Sequence, residues 1–219
     1  MRARSMYPVC LDLRGRLCVV VGGGGVAERK ARGLLAAGAE VRVVAKTACA
    51  GLARLARAGK ITLRRKACSL PDLRGAFLCI AATDDPGVNA RVSSGARRRG
   101  VMVNVADAPD LCDILLPAVV TRGALRIAVS TGGGSPALAK RLREEIGARY
   151  GAEYGVLLDL AGDVRPGVLD RFPAGGRAAV FRRLTGPTVL RTLRQRGKAA
   201  ARREMARILS EAAEPGERE

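Results

Sequence analysis

Histidine is absent from this sequence of 219 residues, and its absence excludes several kinds of active site. Without an imidazole, the chain cannot form a Ser–His or Cys–His nucleophile pair, nor a metal site that depends on histidine ligands. Acid–base chemistry near neutral pH must then be carried by Asp, Glu, Lys, Tyr or Cys side chains.

Aromatic residues make up only 3% of the chain, and tryptophan is missing. Single-stranded nucleic acids are commonly bound by aromatic side chains interleaved with basic ones, and no such pattern is present. The net charge of +19 alone would suggest a nucleic-acid binder, but 33 of the 39 basic residues are arginine. A GC-rich genome and a polyanionic ligand explain this excess equally well. We therefore expect no nucleic-acid partner.

Long apolar runs and paired cysteine motifs are also lacking. No run approaches the ~20 residues that a membrane span needs, and the basic N-terminus lacks the apolar stretch of a signal peptide. We therefore expect a cytoplasmic protein with no membrane partner. The six cysteines form no C-x-x-C pair and are predicted to be mostly buried, reduced thiols. They are Cys10, Cys18, Cys49, Cys68, Cys79 and Cys112.

Five apolar, strand-like segments alternate with helical patterns through the first half of the chain. Such alternation predicts an α/β fold with a Rossmann-like, doubly wound parallel sheet. The strand segments are LCVVV (17–21), VRVVA (41–45), ITLRR (61–65), FLCIAA (77–82) and VMVNVAD (101–107).

The pattern changes after this alternation. DILLPAVV and ALRIAVS flank a TRG turn and predict an antiparallel pair, which a long helix follows. Beyond about residue 151 we expect short helices separated by RPG, PAGG and TGP. The predicted domains are a NAD-binding Rossmann domain (1–113), a small α+β dimerisation region (114–150) and a C-terminal helical region (151–219).

The first strand ends on four consecutive glycines, GGGG, before a helix. Gly22-x-Gly24-x-x-Ala27 fits the dinucleotide-binding fingerprint, in which bare backbone lets a pyrophosphate approach a helix N-terminus. No Gly-Lys-Ser/Thr follows, so this is not a Walker A loop. Lys46 stands where an acidic residue would bind the ribose hydroxyls, so specificity for NAD must arise elsewhere and NADP is not excluded.

Polar residues follow two later strands, and a second glycine loop opens the long helix. Thr83, Asp84, Asn104 and Asp107 are candidates for the wall of a crevice, because the carboxyl ends of parallel strands face the ligand. Within VSTGGGSPALAKRLR (129–143), Ser135 is predicted to cap the helix N-terminus. Two anion-binding turns indicate a cofactor and a separate acidic substrate.

Four segments together make the sequence resemble the precorrin-2 dehydrogenase / sirohydrochlorin ferrochelatase family of sirohaem synthesis. The likeness covers about residues 7–147, with all motifs in order, and without a fused methyltransferase domain we expect the stand-alone form. The segments are GRLCVVVGGGGVAERKARGLLAAGAEVRVVA, AATDDPGVNARV, VNVADAPDLCDILLPAVV and LRIAVSTGGGSPALAKRLR.

The resemblance implies NAD-dependent dehydrogenation of precorrin-2, a tetrapyrrole substrate, insertion of Fe²⁺ by some members, and a homodimer. It implies that Asp107 is the catalytic residue and also binds the metal, and that Thr131 lies beside the tetrapyrrole. The expected cofactor-binding residues are Gly22, Gly24, Gly25, Val26, Lys46, Thr47 and Thr83. The expected substrate-binding residues are Asn104, Thr131, Gly132 and Ser135.

Two other functions remain open from the residues alone. A non-catalytic Rossmann module that senses a nucleotide would explain the first glycine loop, but not VNVAD or STGGGSP. A nucleic-acid binder is suggested by charge only. Retention on DNA that depends on salt, without an NAD-dependent spectral change of a tetrapyrrole, would favour the latter.

Overall fold

The structure, a computed structural model, describes residues 5–213 and divides into two compact units. The first unit comprises Met1–Leu116 and Gly132–Gly134, and the second comprises Pro117–Thr131 and Ser135–Glu219. Residues 1–4 and 214–219, which belong to the predicted first and last domains, lie outside the described residues. The expected three-part division stays a prediction.

A five-stranded parallel sheet forms the centre of the first unit. Its strand order is β3-β2-β1-β4-β5. Successive strands are added on one side of β1 up to β3 and then on its other side from β4, so the strand order reverses between β1 and β4. This confirms the predicted Rossmann-like sheet, and ligands bind such sheets at the carboxyl ends beside the reversal point. The strands are β1 (Leu17–Val21), β2 (Glu40–Ala45), β3 (Thr62–Arg65), β4 (Leu78–Ala81) and β5 (Met102–Val105).

Helices cover both faces of this sheet: α1 (Gly25–Ala36), α2 (Ala50–Arg57) and α3 (Pro86–Arg97). Alternate residues of β1 point to opposite faces. Cys18 belongs to the core that α1 and α2 complete, whereas Val19 belongs to the core on the α3 face. Both residues are fully buried, which explains why the strand is apolar throughout.

Local residues mark the helix boundaries of the first unit. Gly38 and Gly59 follow α1 and α2 with φ of 80° and 65°, the left-handed conformation in which glycine ends helices. Asp85 caps α3, because its carboxylate accepts a hydrogen bond from the Val88 N–H at 3.0 Å. Pro86 is the first residue of that helix.

All six cysteines are thiols, as expected, but they are not equally buried. Cys18, Cys79 and Cys112 are buried, Cys49 and Cys68 are half-buried, and Cys10 is exposed. Burial raises the pKa of the Cys18 and Cys68 thiols to about 11, which keeps them protonated at neutral pH. These thiols act as small apolar side chains.

The second unit consists of the predicted antiparallel pair and four helices. Its apolar core lies among the last three helices. Within residues 5–213, no helix is long and apolar enough to cross a membrane. The elements are β6 (Ala118–Arg122), β7 (Leu125–Val129), α4 (Pro136–Arg149), α5 (Glu153–Arg171), α6 (Ala174–Leu184) and α7 (Pro187–Ala213).

The expectation that RPG (165–167) separates two helices is wrong, because α5 runs through it with Pro166 inside. An interior proline costs a helix about 3 kcal/mol. Leu160 and Val168, one on each side of Pro166, are both fully buried in the same core, and their burial offsets that cost. The chain does break at PAGG and TGP, and α7 contains a kink at Gly197, where φ is 77°.

Candidate functional site

The carboxyl ends of the parallel strands open into a cleft of about 1040 Å³, which lies wholly within the first unit. We call it the strand-end cleft. A volume of this size suits a dinucleotide or another ligand larger than a typical metabolite. It is lined by residues 21–26, 44–47, 66–68, 82–86, 88–89, 91, 106–108 and 111.

Two of the four glycines are required by the protein's own backbone. A Cβ added to Gly22 would lie 2.1 Å from the carbonyl oxygen of Ala82, and one added to Gly23 would lie 1.7 Å from that of Thr47. Gly22 also has a φ of 132°, which other residues rarely adopt. These glycines let the loop pass between the ends of β2 and β4.

The other two glycines have no such explanation within the protein. A Cβ on Gly24 or Gly25 would meet no heavy atom within 4 Å, and Gly24 has an extended backbone that any residue adopts. Gly24 is also the N-cap of α1 and provides no side-chain hydrogen bond to that helix. Open space beside an uncapped helix N-terminus fits a pyrophosphate, which the backbone N–H groups and the helix dipole attract.

The ends of β2 and β3 contribute cations to the cleft. Lys46 and Thr47 follow β2 and are exposed, and Lys66 follows β3. The Lys66 ammonium lies 2.9 Å from the carboxylate of Asp72, which is fully buried. Burial alone would raise the pKa of Asp72, but hydrogen bonds from Lys66 and other donors outweigh it and hold that pKa well below its usual range.

A network of hydrogen bonds fixes the loop after β4. The Thr83 hydroxyl lies 2.8 Å from Asn89 Oδ1, and the Asn89 amide donates to the Thr83 carbonyl at 2.9 Å. Asn89 is buried, so α3 holds Thr83 in place at the mouth of the cleft. The exposed Asp84 follows Thr83 and also lines the cleft.

Asp107 lies at the end of the cleft formed by β5. It is exposed, and its φ of 58° is the only positive value of a non-glycine residue among residues 5–213. Aspartate tolerates this conformation better than most residues. The Asp107 carboxylate interacts electrostatically with the half-buried Lys30 of α1. Partial burial and the neighbouring Arg29 lower the pKa of Lys30, and the Asp107 carboxylate opposes that lowering.

Asn104 does not face the cleft as its predicted role would require. It is buried, and its amide donates to the carbonyl of Ile114 at 3.0 Å and lies 3.6 Å from the sulfur of Cys112. These bonds hold the segment after Asp107 against β5. A role in substrate binding stays a prediction, and the geometry gives Asn104 a positioning role.

Thr131 and Ser135 bracket the second glycine turn and lie in the second unit. The Ser135 N–H donates to the Thr131 hydroxyl at 3.1 Å, and the Ser135 hydroxyl accepts from the Leu138 N–H at 3.2 Å. Ser135 is therefore the N-cap of α4, as predicted. Gly132 between them has a φ of 60°, the left-handed conformation that favours glycine. Substrate binding by these residues stays a prediction.

Three cleft features were not found from the sequence. Lys66 and Arg91 line the strand-end cleft, and Lys30 lies near Asp107. The rule applied to the other strands, that residues directly after a strand face the ligand, would have identified Lys66 at the end of β3. Among residues 5–213, no cluster of three or more Cys, Asp or Glu side chains could hold a metal ion.

Comparisons with known proteins agree with this fold. A family model described as putative NAD(P)-binding matches residues 9–118, half of the chain, and one described as sirohaem biosynthesis protein central matches residues 122–149. A solved structure named SirC, precorrin-2 dehydrogenase, superimposes with a TM-score of 0.77 at 29% identity. The match covers 94% of this chain and 100% of that one.

Curated relatives carry the name siroheme synthase. The chain is 44% identical over 214 residues to that of Methylococcus capsulatus, covering 97% of this chain and 44% of the relative. It is 46% identical over 177 residues to that of Ectopseudomonas mendocina, covering 81% and 38%. The chain thus spans less than half the length of these relatives. The resemblance given by the motifs is confirmed: the chain is similar to sirohaem biosynthesis proteins, and it belongs to the family described as putative NAD(P)-binding.

Proposed function

We propose that this chain catalyses the NAD-dependent dehydrogenation of precorrin-2 to sirohydrochlorin in sirohaem biosynthesis. The observation that carries the proposal is that the bare glycine loop and Asp107 line one cleft at the carboxyl ends of the sheet. The names of the relatives and of the solved structure support the same reaction. A non-catalytic nucleotide sensor is not favoured, because it leaves the Asp107 strand end unexplained.

The glycine loop and the ends of β2 and β4 are the proposed dinucleotide site. Gly24 and Gly25 offer open space and an uncapped helix N-terminus to the pyrophosphate. When bound, NAD supplies the hydride acceptor of the reaction. The remaining proposed contacts are Gly22, Val26, Lys46, Thr47 and Thr83, which all line the cleft.

Asp107 is the proposed proton acceptor. Dehydrogenation removes a proton as well as a hydride, and the chain has no histidine to take it. The Asp107 carboxylate is exposed to the cleft, and the half-buried Lys30 of α1 lies close enough for the two charges to interact. The left-handed backbone of Asp107 lies in the turn that follows β5.

The tetrapyrrole carries several carboxylates, and a chain with a net charge of +19 attracts such a polyanion. Thr131, Gly132 and Ser135 are the proposed substrate-binding residues, with Asn104 acting through the segment that it positions. Lys140 and Arg141 follow on α4 and supply positive charge there.

Further parts of the proposal go beyond the dehydrogenation. Ferrous iron is a candidate substrate for a second step, in which Asp107 would attract the metal and accept pyrrole protons. We also propose a cytoplasmic homodimer that uses residues 114–150, with no nucleic-acid or membrane partner.

The test is an anaerobic assay with precorrin-2, NAD and the purified chain. We expect sirohydrochlorin and NADH, both followed by absorbance, to form in equal amounts. If the chain is bifunctional, sirohaem should form after ferrous iron is added. Binding of NAD without any oxidation of precorrin-2 would contradict the proposal and match a sensing module instead.

A further inference from the structure

Two lysines stand side by side at one end of the strand-end cleft. The register pairs Ala45 with Arg65, the last residues of β2 and β3, so Lys46 and Lys66 are the next residues on neighbouring strands. Both line the cleft. In dinucleotide-binding sheets the end of the second strand meets the adenosine ribose, so two cations flank the position of the ribose hydroxyls.

The carboxylates that line the cleft lie at the other end of the sheet. Asp84 and Asp107 follow β4 and β5, on the other side of β1 from the two lysines, and the cation Arg91 of α3 lies with them. Among the residues that line the cleft, those at the β2–β3 end include cations and no carboxylate. An additional anionic group on the ligand would therefore be attracted at the β2–β3 end.

Nearby carboxylates do not cancel the positive charge. Asp72 bonds Lys66 at 2.9 Å and Arg64 at 3.0 Å, so two cations share one buried carboxylate. Lys46 is exposed and, within the described part of the chain, takes part in no ion pair.

Glu28 is the other acidic residue to consider at this end, because its carboxylate lies 3.2 Å from the thiol of Cys49, in the loop after β2. It is already paired with Arg32 at 2.8 Å. The hydrogen bond from Arg32 lowers the pKa of Glu28, which keeps the carboxylate charged and bound to its own helix. The Glu28 carboxylate therefore does not pair with the Lys46 ammonium.

We propose that Lys46, assisted by Lys66, forms a subsite for the 2′-phosphate of NADP⁺, so that the chain binds NADP⁺ at least as tightly as NAD⁺. An acidic residue at this strand end would bond the 2′-hydroxyl and repel a 2′-phosphate, whereas an ammonium group attracts it. The inference rests on the proposed dinucleotide binding at the cleft and adds a specificity that this binding alone does not fix.

Calorimetric titration of the chain with NAD⁺ and with NADP⁺, without tetrapyrrole, tests the subsite at two salt concentrations. Lys46→Gln removes the charge and keeps the length of the side chain. Lys60→Gln is the matched control, because Lys60 is also exposed but precedes β3, at the opposite edge of the sheet. Melting temperatures of both variants check that the fold is intact.

We expect NADP⁺ to bind at least as tightly as NAD⁺, with an affinity that falls more steeply as salt is added. Lys46→Gln should weaken NADP⁺ binding about tenfold and NAD⁺ binding by a clearly smaller factor, whereas Lys60→Gln should change neither. Tighter binding of NAD⁺ than of NADP⁺, or an unchanged ratio in Lys46→Gln, would overturn this inference alone. Failure of both dinucleotides to bind would overturn the proposed function as well.

Discussion

The backbone of Gly22 passes so close to Ala82 that an added Cβ would lie 2.1 Å from the Ala82 carbonyl oxygen. This contact joins the glycine loop to the end of β4. Gly22→Ala should therefore lower the free energy of unfolding by about 3 kcal/mol or more, since a rigid backbone atom must move and the φ of 132° is unfavourable for alanine. Urea denaturation of the variant measures this loss, and wild-type stability would show that the loop is not held as described.

Gly24→Val should, in contrast to Gly22→Ala, preserve the stability of the fold and abolish NAD binding. Its Cβ meets no protein atom within 4 Å, so the fold should survive, but the side chain would occupy the space proposed for the pyrophosphate. We expect NAD binding to be lost in calorimetry, with a melting temperature within a few degrees of wild type. Gly33→Val is the matched control, because Gly33 lies on the same helix in equally open space and is exposed. Wild-type affinity of Gly24→Val would refute the cofactor site.

Asp72 should make the stability of the first unit depend on pH. Its pKa is depressed in the folded chain, so its stabilising bonds to Lys66 and Arg64 are present above its unfolded pKa of about 4 and are lost as the pH falls further. Asp72→Asn should cost about 2 kcal/mol at pH 7, a modest value because both cations are half-exposed. The difference from wild type should shrink below pH 4 in urea denaturation. A constant difference from pH 7 to pH 3 would rule out this ion pair as the cause.

The antiparallel pair of the second unit exposes apolar side chains that fit a homodimer. Val119 of β6 is 39% exposed and faces away from the buried Val120. We expect sedimentation at micromolar concentration to show a dimer, and Val119→Glu to weaken it by placing a charge in an apolar contact. Val9→Glu, a change at an even more exposed valine of the first unit, should leave the dimer intact. A wild-type monomer at this concentration would contradict the assembly.

Local sequence patterns were sufficient to predict the first unit. The five apolar runs are decided by residues within a few positions, and the five strands that they predict are confirmed. The helix ends at Gly38 and Gly59 and the cap at Asp85 depend on equally local residues. The interior Pro166 of α5 was not predictable in this way. Burial of Leu160 and Val168 in one core, a tertiary effect, overrides the local cost of the proline.

The residues of the candidate site also differ in whether local sequence or tertiary packing decides their position. Residues that follow strands directly, such as Lys46 and Thr83, line the cleft because parallel strands end at one edge. Asn104 lies within β5, and the alternation of the strand together with the fold of the segment after it buries the side chain against Ile114. No local signal distinguishes such a bracing asparagine from one that faces a ligand.

Replacing Asp107 by Asn tests most directly whether the proposed chemistry takes place at the strand-end cleft. The amide keeps the shape, the hydrogen-bonding capacity and the tolerance for a φ of 58°, but it loses the negative charge and the basic oxygen. The measurement is the turnover number for precorrin-2 oxidation at saturating NAD, with the affinities for NAD and tetrapyrrole determined separately by titration.

We expect turnover of Asp107→Asn to fall about 10²–10⁴-fold, the usual loss when a general base is removed. Both affinities should stay near wild type, because the proposed NAD contacts lie on other loops and a polycarboxylate is not held by a carboxylate. Oxidation within a few-fold of wild type, with loss of iron insertion alone, would restrict Asp107 to the metal step. Full activity in both steps would contradict its role in the chemistry of this cleft.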